Sequence, residues 1–202
     1  MLKLTEEFLN KGRVWIPDCS RDDLPKFFKE LGFKTGLEVG VDEGVFTKKF
    51  CEEGIKMYGV DPWSSYYDYH DKPSFDKCTE LIYQKAKKNL EGYDCTIIRK
   101  TSMDAMPNIP DRSLDFVYID GNHSFGHVAY DLMGWSKKVK KGGVISGHDY
   151  YCVEPKYKRV VRQVGFAVDA FVKSYDIENW YILGEPQGNN DGWLSYIIFK
   201  NW

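Results

Sequence analysis

The stretch Gly36-Leu37-Glu38-Val39-Gly40-Val41-Asp42-Glu43-Gly44-Val45-Phe46 constrains this chain more than any other. It reads as a buried strand ending in an acid, then a glycine-rich turn, then the first turn of a helix. Glycines at 40 and 44 let the backbone turn tightly and come close to a ligand. The helix behind them aims its first free N–H groups into the turn. Such a turn at the carboxyl end of a parallel strand is the arrangement of a nucleotide-type site. The competing reading is a plain glycine turn after an ordinary α/β strand.

Spacing narrows the ligand. A dinucleotide fold asks for G-x-G-x-x-G, whose second glycine makes room for a pyrophosphate. Here the pattern is Glu38-x-Gly40-x-x-x-Gly44, with further carboxylates at Asp42 and Glu43. Acids around the loop repel a pyrophosphate and suit a ligand that carries an amine or a sulfonium. The pattern resembles motif I of class I S-adenosylmethionine-dependent methyltransferases. The resemblance implies that Glu38 and Gly40 line the cofactor.

A second strand, Lys56–Val60, delivers Asp61 about twenty residues beyond Gly40, where a βαβ unit puts the acid that accepts from a ribose. A carboxylate there can take both ribose hydroxyls. The alternative is a loop aspartate that caps the turn before Pro62.

The rest of the chain alternates strand and helix. Residues 1–19 show no strong periodicity and read as an arm or irregular cap. Ser20 and Asp23 form a capping-box-like start to a helix through Leu31. A helix over 45–53 follows the glycine turn. Trp63–Asp71, with His70, reads as an aromatic loop or lid over the site. Next come a helix over 74–90 and a strand over 96–99. The near-continuous apolar run Leu114–Ile119 marks a central parallel strand buried on both faces. A helix over 125–139 then ends at Gly142-Gly143. A strand over 144–146, a long helix over 157–175 and two strands, 180–183 and 194–200, which can form a hairpin-like antiparallel pair at the sheet edge, complete the chain. Asn189-Asn190-Asp191-Gly192 is a turn signal between those last two.

Composition sets limits on partners and compartment. At 202 residues the chain suits one well-buried domain and is short for two. Its net charge of -2 gives no electrostatic reason for nucleic acid or an anionic membrane as partner. No apolar run approaches the ~20 residues of a membrane span. Lys3, Glu6 and Glu7 interrupt the N-terminus, against a signal peptide. The cysteines at 19, 51, 78, 95 and 152 are scattered, without a C-x-x-C pair, so a disulfide scaffold or zinc site is not expected and a reducing cytoplasm fits. The aromatic share of 16% places rings either in a pocket or in the core.

The order of elements resembles the class I methyltransferase fold from about Thr35 to the end. The likeness is most specific over Leu114–Tyr150, in Asp-Phe-Val-Tyr-Ile-Asp-Gly-Asn-His-Ser and Lys-Gly-Gly-Val-Ile-Ser-Gly-His-Asp-Tyr. That region is similar to a small subfamily grouped with cephalosporin hydroxylase-like proteins and, more distantly, to catechol-type O-methyltransferases. The resemblance implies that Ser102 bonds the edge of the adenine and Met103 packs its face, with Asp104 a second candidate for the adenine amine. It implies a Mg²⁺ or similar divalent ion held by Asp120 and Asp149. His123 stands where the catechol-type enzymes carry a lysine base, and no asparagine follows Asp149, so the sequence departs from their pattern at two positions. His123 is chemically suited to be the base; it is equally read as a helix-start histidine bonding backbone. Asp120, His123, His148 and Asp149 form either an ion site or a metal-free hydrogen-bonded cluster, and His127, one turn on from His123, could share its face.

The expectation is therefore one domain over 1–202, with an N-terminal arm and helix over 1–34 and a Rossmann-like, doubly wound, mostly parallel α/β core over 35–202. It would use S-adenosylmethionine, bound by Glu38, Gly40, Asp61, Ser102, Met103 and Asp120, to methylate a hydroxyl of a small molecule or sugar, with His123, Asp120 and His148 as catalytic residues. A homo-oligomer is compatible with it. An NAD-dependent oxidoreductase and a silent S-adenosylmethionine-binding protein are the alternatives.

Overall fold

The computed structural model describes residues 14–64, 76–150, 152–154, 159–161, 163–184 and 194–202. Along them run β1 (Val14–Ile16), α1 (Leu24–Glu30), β2 (Thr35–Val39), α2 (Val45–Glu52), β3 (Lys56–Val60), α3 (Asp76–Asn89) and β4 (Cys95–Ile98). They continue as α4 (Ser102–Ala105), β5 (Leu114–Ile119), α5 (Phe125–Lys138), β6 (Val139–Gly147), β7 (Cys152–Glu154), β8 (Arg159–Val161), α6 (Gln163–Ser174), β9 (Trp180–Leu183) and β10 (Ser195–Phe199).

Eight of these strands form one sheet in the order β1-β9-β10-β6-β5-β2-β3-β4. β2 pairs parallel with β3 and β5, β3 with β4, and β5 with β6, while β10 runs antiparallel to β6 and β9. This is the expected doubly wound sheet with its antiparallel C-terminal pair. From β2 the chain steps outward through β3 and β4; from β5 it steps the other way. The chain therefore changes direction between β2 and β5, the topological switch point at which open α/β sheets hold their ligands.

Burial explains why β5 is apolar throughout. Phe116 and Tyr118 face a cluster with Phe28 and Phe50, whereas Val117 and Ile119 face Leu132, Trp135 and Val168. Around Phe116 the rings of Phe28 and Phe50 lie with centroids 4.6 and 4.9 Å away, the spacing of tilted aromatic pairs. Much of the aromatic content is thus spent in the core.

Four local expectations are corrected. The segment thought to be an arm supplies β1, which pairs parallel with β9, so the C-terminal pair is not the sheet's edge. The Ser20/Asp23 capping box is present but opens a short 3-10 turn, Arg21–Asp23, ahead of α1. Gly142-Gly143 does not end α5. That helix stops at Lys138 and β6 begins at once, with a register shift against β5 before Val144. Lys200 holds the junction, donating from Nζ to the carbonyls of Ser136 at 2.8 Å and Val139 at 2.7 Å. Finally, the long helix starts at Gln163 rather than 157, because Arg159–Val161 pairs with Cys152–Glu154 as an antiparallel hairpin. β-Branched Val160 and Val161 favour that strand over a helix. The expected lid beyond Ser64, with His70, and the turn at 189–192 lie outside the described residues.

Candidate active site

The loop after β2 is built as its glycines require. Gly40 has φ +90° and Gly44 +79°. A Cβ on Gly40 would stand 2.0 Å from the carbonyl oxygen of Asp120, so the loops after β2 and β5 touch backbone to backbone at this point. Glu38 lies beneath the loop, 1% exposed, and accepts from the Thr47 hydroxyl of α2. Burial raises its pKa well above the usual carboxyl range; the Thr47 bond opposes this and the charge of Asp120 adds to it. Glu43 turns away from the loop and pairs with Lys85 of α3 at 2.6 Å. The picture of three acids ringing the loop thus narrows to Glu38 below it and Asp42 within it.

Asp61 serves as a clamp. It accepts from the N–H of Trp63 at 2.8 Å and of Asp42 at 3.1 Å. The Trp63 indole, 4% exposed and packed on Tyr83, donates to the Asp42 carbonyl at 2.9 Å. Asp61 therefore does cap the turn after β3, as the alternative reading had it. A carboxylate has roughly four acceptor positions, so these donors do not exhaust it. Burial raises its pKa, against the backbone donors Trp63, Asp42 and Val41.

At the end of β4, Met103 is 47% exposed and Asp104 is bonded to Thr101, whose hydroxyl caps α4. Ser102 is drawn inward. Its hydroxyl donates to Asp131 of α5, and the Trp135 indole donates to Ser102 Oγ at 2.7 Å. Asp131 is 4% exposed, and burial raises its pKa to about 7 against the donors Ser102 and Trp135. Asp131 is not among the residues that the sequence motifs single out. Its signal was available: with Val128, Leu132 and Trp135 it completes the i, i+3, i+4, i+7 stripe of the buried face, where an acid is out of place.

The loops after β5 and β6 bring the remaining residues together. His123 Nε2 lies 2.9 Å from Asp149 and 3.5 Å from Asp120. His148 Nδ1 lies 3.2 Å from the other oxygen of Asp149. Asp149, at φ +57°, is thus bracketed by two imidazoles. Burial pushes its pKa up, but His123 and His148 outweigh that and hold it well below the carboxylate range. For His148 burial opposes the charged form, yet Asp149 and Asp120 prevail and its pKa is raised. One turn on from His123, His127 Nδ1 meets Ser124 Oγ at 2.8 Å.

Arg21 completes the cluster and was not foreseen. Its Nη1 reaches Asp120 at 3.2 Å, and its guanidinium lies 5.4 Å above the ring of Phe46. A basic residue inside a capping box looks like a solvated helix start, so only the tertiary fold reveals the contact.

The glycine loop, Asp61 and the acid–imidazole cluster gather around one switch point of a Rossmann-like domain. Residues 37–150 match the profile of a family described as a methyltransferase domain. The chain belongs to that family, of the class I S-adenosylmethionine-dependent methyltransferases, which decides against the NAD-dependent reading. The match takes in Asp61, His123 and Asp149 and leaves Arg21 outside it. Among solved structures, the fold is similar to an O-methyltransferase from Bacillus cereus in complex with SAH (TM-score 0.63, 17% identity, covering 91% of this chain and 83% of that one). It is similar also to the O-methyltransferase TomG from Streptomyces achromogenes, involved in tomaymycin synthesis and solved with SAM (TM-score 0.61, 10% identity, 89% and 79% covered). A curated relative, the uncharacterized protein y4gI of Sinorhizobium fredii, is 32% identical over 140 residues, or 65% of this chain. The match spans only 14% of that relative's length. No helix among the described residues is long and apolar enough to cross a membrane.

Proposed function

We propose that this chain is a single methyltransferase domain that transfers the methyl group of S-adenosylmethionine to a hydroxyl of a small molecule or sugar, in the cytoplasm. The observation that carries the reading is the His123–Asp149–His148 array beside Asp120, at the strand ends that flank the Gly40 loop. A sulfonium methyl is already activated, so the protein must align the acceptor with it and exclude water. A hydroxyl must also lose its proton as the C–O bond forms. Asp149 and Asp120 lie beside Nε2 of His123, and its imidazole is the group suited to accept that proton. The same carboxylates stabilise the imidazolium once the proton has moved. Two assays test the reading: release of S-adenosylhomocysteine on a panel of phenols, catechols, sugars, amines and thiols, and calorimetry with the cofactor. Turnover on amines or thiols alone would replace the O-methyl reading, and cofactor binding without turnover on any acceptor would leave a silent binding protein.

Asp61→Ala should weaken S-adenosylhomocysteine binding by about 1.5–3 kcal/mol, the worth of hydrogen bonds to a charged group. Circular dichroism should barely change. Unaltered affinity would confine Asp61 to clamping the Asp42 and Trp63 amides.

A second reading adds a divalent cation. Asp120, His123 and Asp149 each offer one donor atom, and these atoms lie within 4.8 Å of one another, a set that fits such an ion. Two carboxylates and an imidazole suit Mn²⁺ or Zn²⁺ at least as well as Mg²⁺, which favours oxygen and water. Such an ion would lower the pKa of the acceptor hydroxyl. On this reading activity vanishes in EDTA and returns with added metal, and the bound ion is seen directly by the loss of the free Mn²⁺ resonance signal. Full turnover in chelator would leave a purely hydrogen-bonded cluster.

A further inference from the structure

With Asp131 ionised, the polarity of the buried network behind α4 is fixed by its end members. Trp135 can only donate through its indole N–H, and an ionised Asp131 can only accept. Ser102 stands between them, so its Oγ accepts from Trp135 and its single proton goes to Asp131. One lone pair on Oγ is then all that this hydroxyl can offer outward. Ser102 itself is only partly buried, whereas Trp135 and Asp131 are closed off from solvent.

We infer that Asp131 is a positioning residue for cofactor recognition: by holding the Ser102 proton it makes Ser102 an acceptor only, so the ligand atom that meets Ser102 must be a donor, the exocyclic amine of the adenine. This rests on Ser102 lying at the edge of the base. A serine with a free hydroxyl would accept either polarity, turning its proton toward a ring nitrogen or its lone pair toward an amine. Tied to Asp131 it presents a lone pair alone, and a ring nitrogen or carbonyl at that point meets lone pair with lone pair. A buried carboxylate is costly to keep, and discrimination between base edges is what it contributes here.

The test compares S-adenosylhomocysteine with its 6-deamino analogue, a purine in place of adenine, by calorimetry at pH 8.5. That pH lies above the value of about 7 to which burial raises the Asp131 carboxyl. In the wild type the deamino ligand should bind about 10-fold more weakly, the size of one net hydrogen bond. Asp131→Asn places an amide that can donate to Ser102 Oγ and turns the hydroxyl proton outward, so the ratio should fall to one or below. Asp131→Ala frees the hydroxyl to rotate and should give the same collapse, which keeps the question answerable if the Asn variant does not fold. A merely structural Asp131 would weaken both ligands together and leave the ratio at its wild-type value, and that result overturns the inference. A wild-type ratio near one does so as well. Ser102→Ala separates the two levels. If the ratio collapses there but survives in both Asp131 variants, Ser102 contacts the amine and only the role of Asp131 is lost. If it survives in Ser102→Ala too, the base does not lie at Ser102 and the underlying assignment fails with it.

Discussion

Replacing His123 with alanine lowers kcat by roughly 10²–10⁴-fold, the usual contribution of a positioned general base, and leaves S-adenosylhomocysteine affinity where it was. The expectation rests on place and partners. His123 sits one turn-length beyond Asp120 at the end of β5, with Nε2 2.9 Å from Asp149 and 3.5 Å from Asp120. Both carboxylates favour the imidazolium that forms when the acceptor hydroxyl gives up its proton. Because the unprotonated ring is the active one, the acid limb of the pH–rate profile belongs to this residue and disappears with it. Single-turnover rates with saturating cofactor measure the effect apart from product release. A variant that keeps the wild-type kcat and the same acid limb removes His123 from the proton path. His148 is then next to test, although at 5% exposure and with Nδ1 turned to Asp149 it is less open to an acceptor. The same variant also weighs the ion. If His123 is a ligand, Mn²⁺ affinity falls together with kcat; if it is the base alone, Mn²⁺ is bound or refused as in the wild type.

What could be read from the sequence was what local pattern encodes. The apolar run of β5, the glycine loop after β2 and the acid after β3 each carry their signal within a few residues, and the fold places them around one switch point. Three features were beyond that reach. Arg21 contacts Asp120 from 99 residues away along the chain, through an N-terminal strand that pairs with β9 only because β9 and β10 leave an edge beside them. The start of α6 was set too early because Val160 and Val164 fit a helical stripe, whereas the β7–β8 pairing claims Val160 for a strand. Asp131 was hidden in plain periodicity: its position on the buried stripe was legible, but its partners Ser102 and Trp135 come together only once α4 packs on α5. In each case the missing information was tertiary, and at Arg21 and Asp131 it concerned a charged group whose partner comes from another element of the fold.

Gly40→Ala is expected to cost about 3 kcal/mol or more of folding stability and to abolish measurable cofactor binding. Two costs combine. A non-glycine residue in the left-handed region gives up about 1–2 kcal/mol. The larger one is overlap, since the new methyl would lie 2.0 Å from the Asp120 carbonyl oxygen. Neither side can step back cheaply. The Gly40 N–H is bonded to the Val60 carbonyl at 2.8 Å, and the Asp120 N–H to the Val39 carbonyl at 2.8 Å, so both loops are tied to the central strands. Relief would come from prying the ends of β2 and β5 apart, which moves Asp120 away from Arg21 and His123 and disturbs the switch point where the cofactor is expected. Gly92→Ala is the control, because Gly92 has φ +80° but open space around the added methyl. It bears the conformational cost alone, and its urea midpoint should move by the equivalent of about 1–2 kcal/mol with cofactor affinity intact. If Gly40→Ala behaves no worse than Gly92→Ala in both measurements, the loops after β2 and β5 have slack between them, and the cofactor is not held at the seam where they meet.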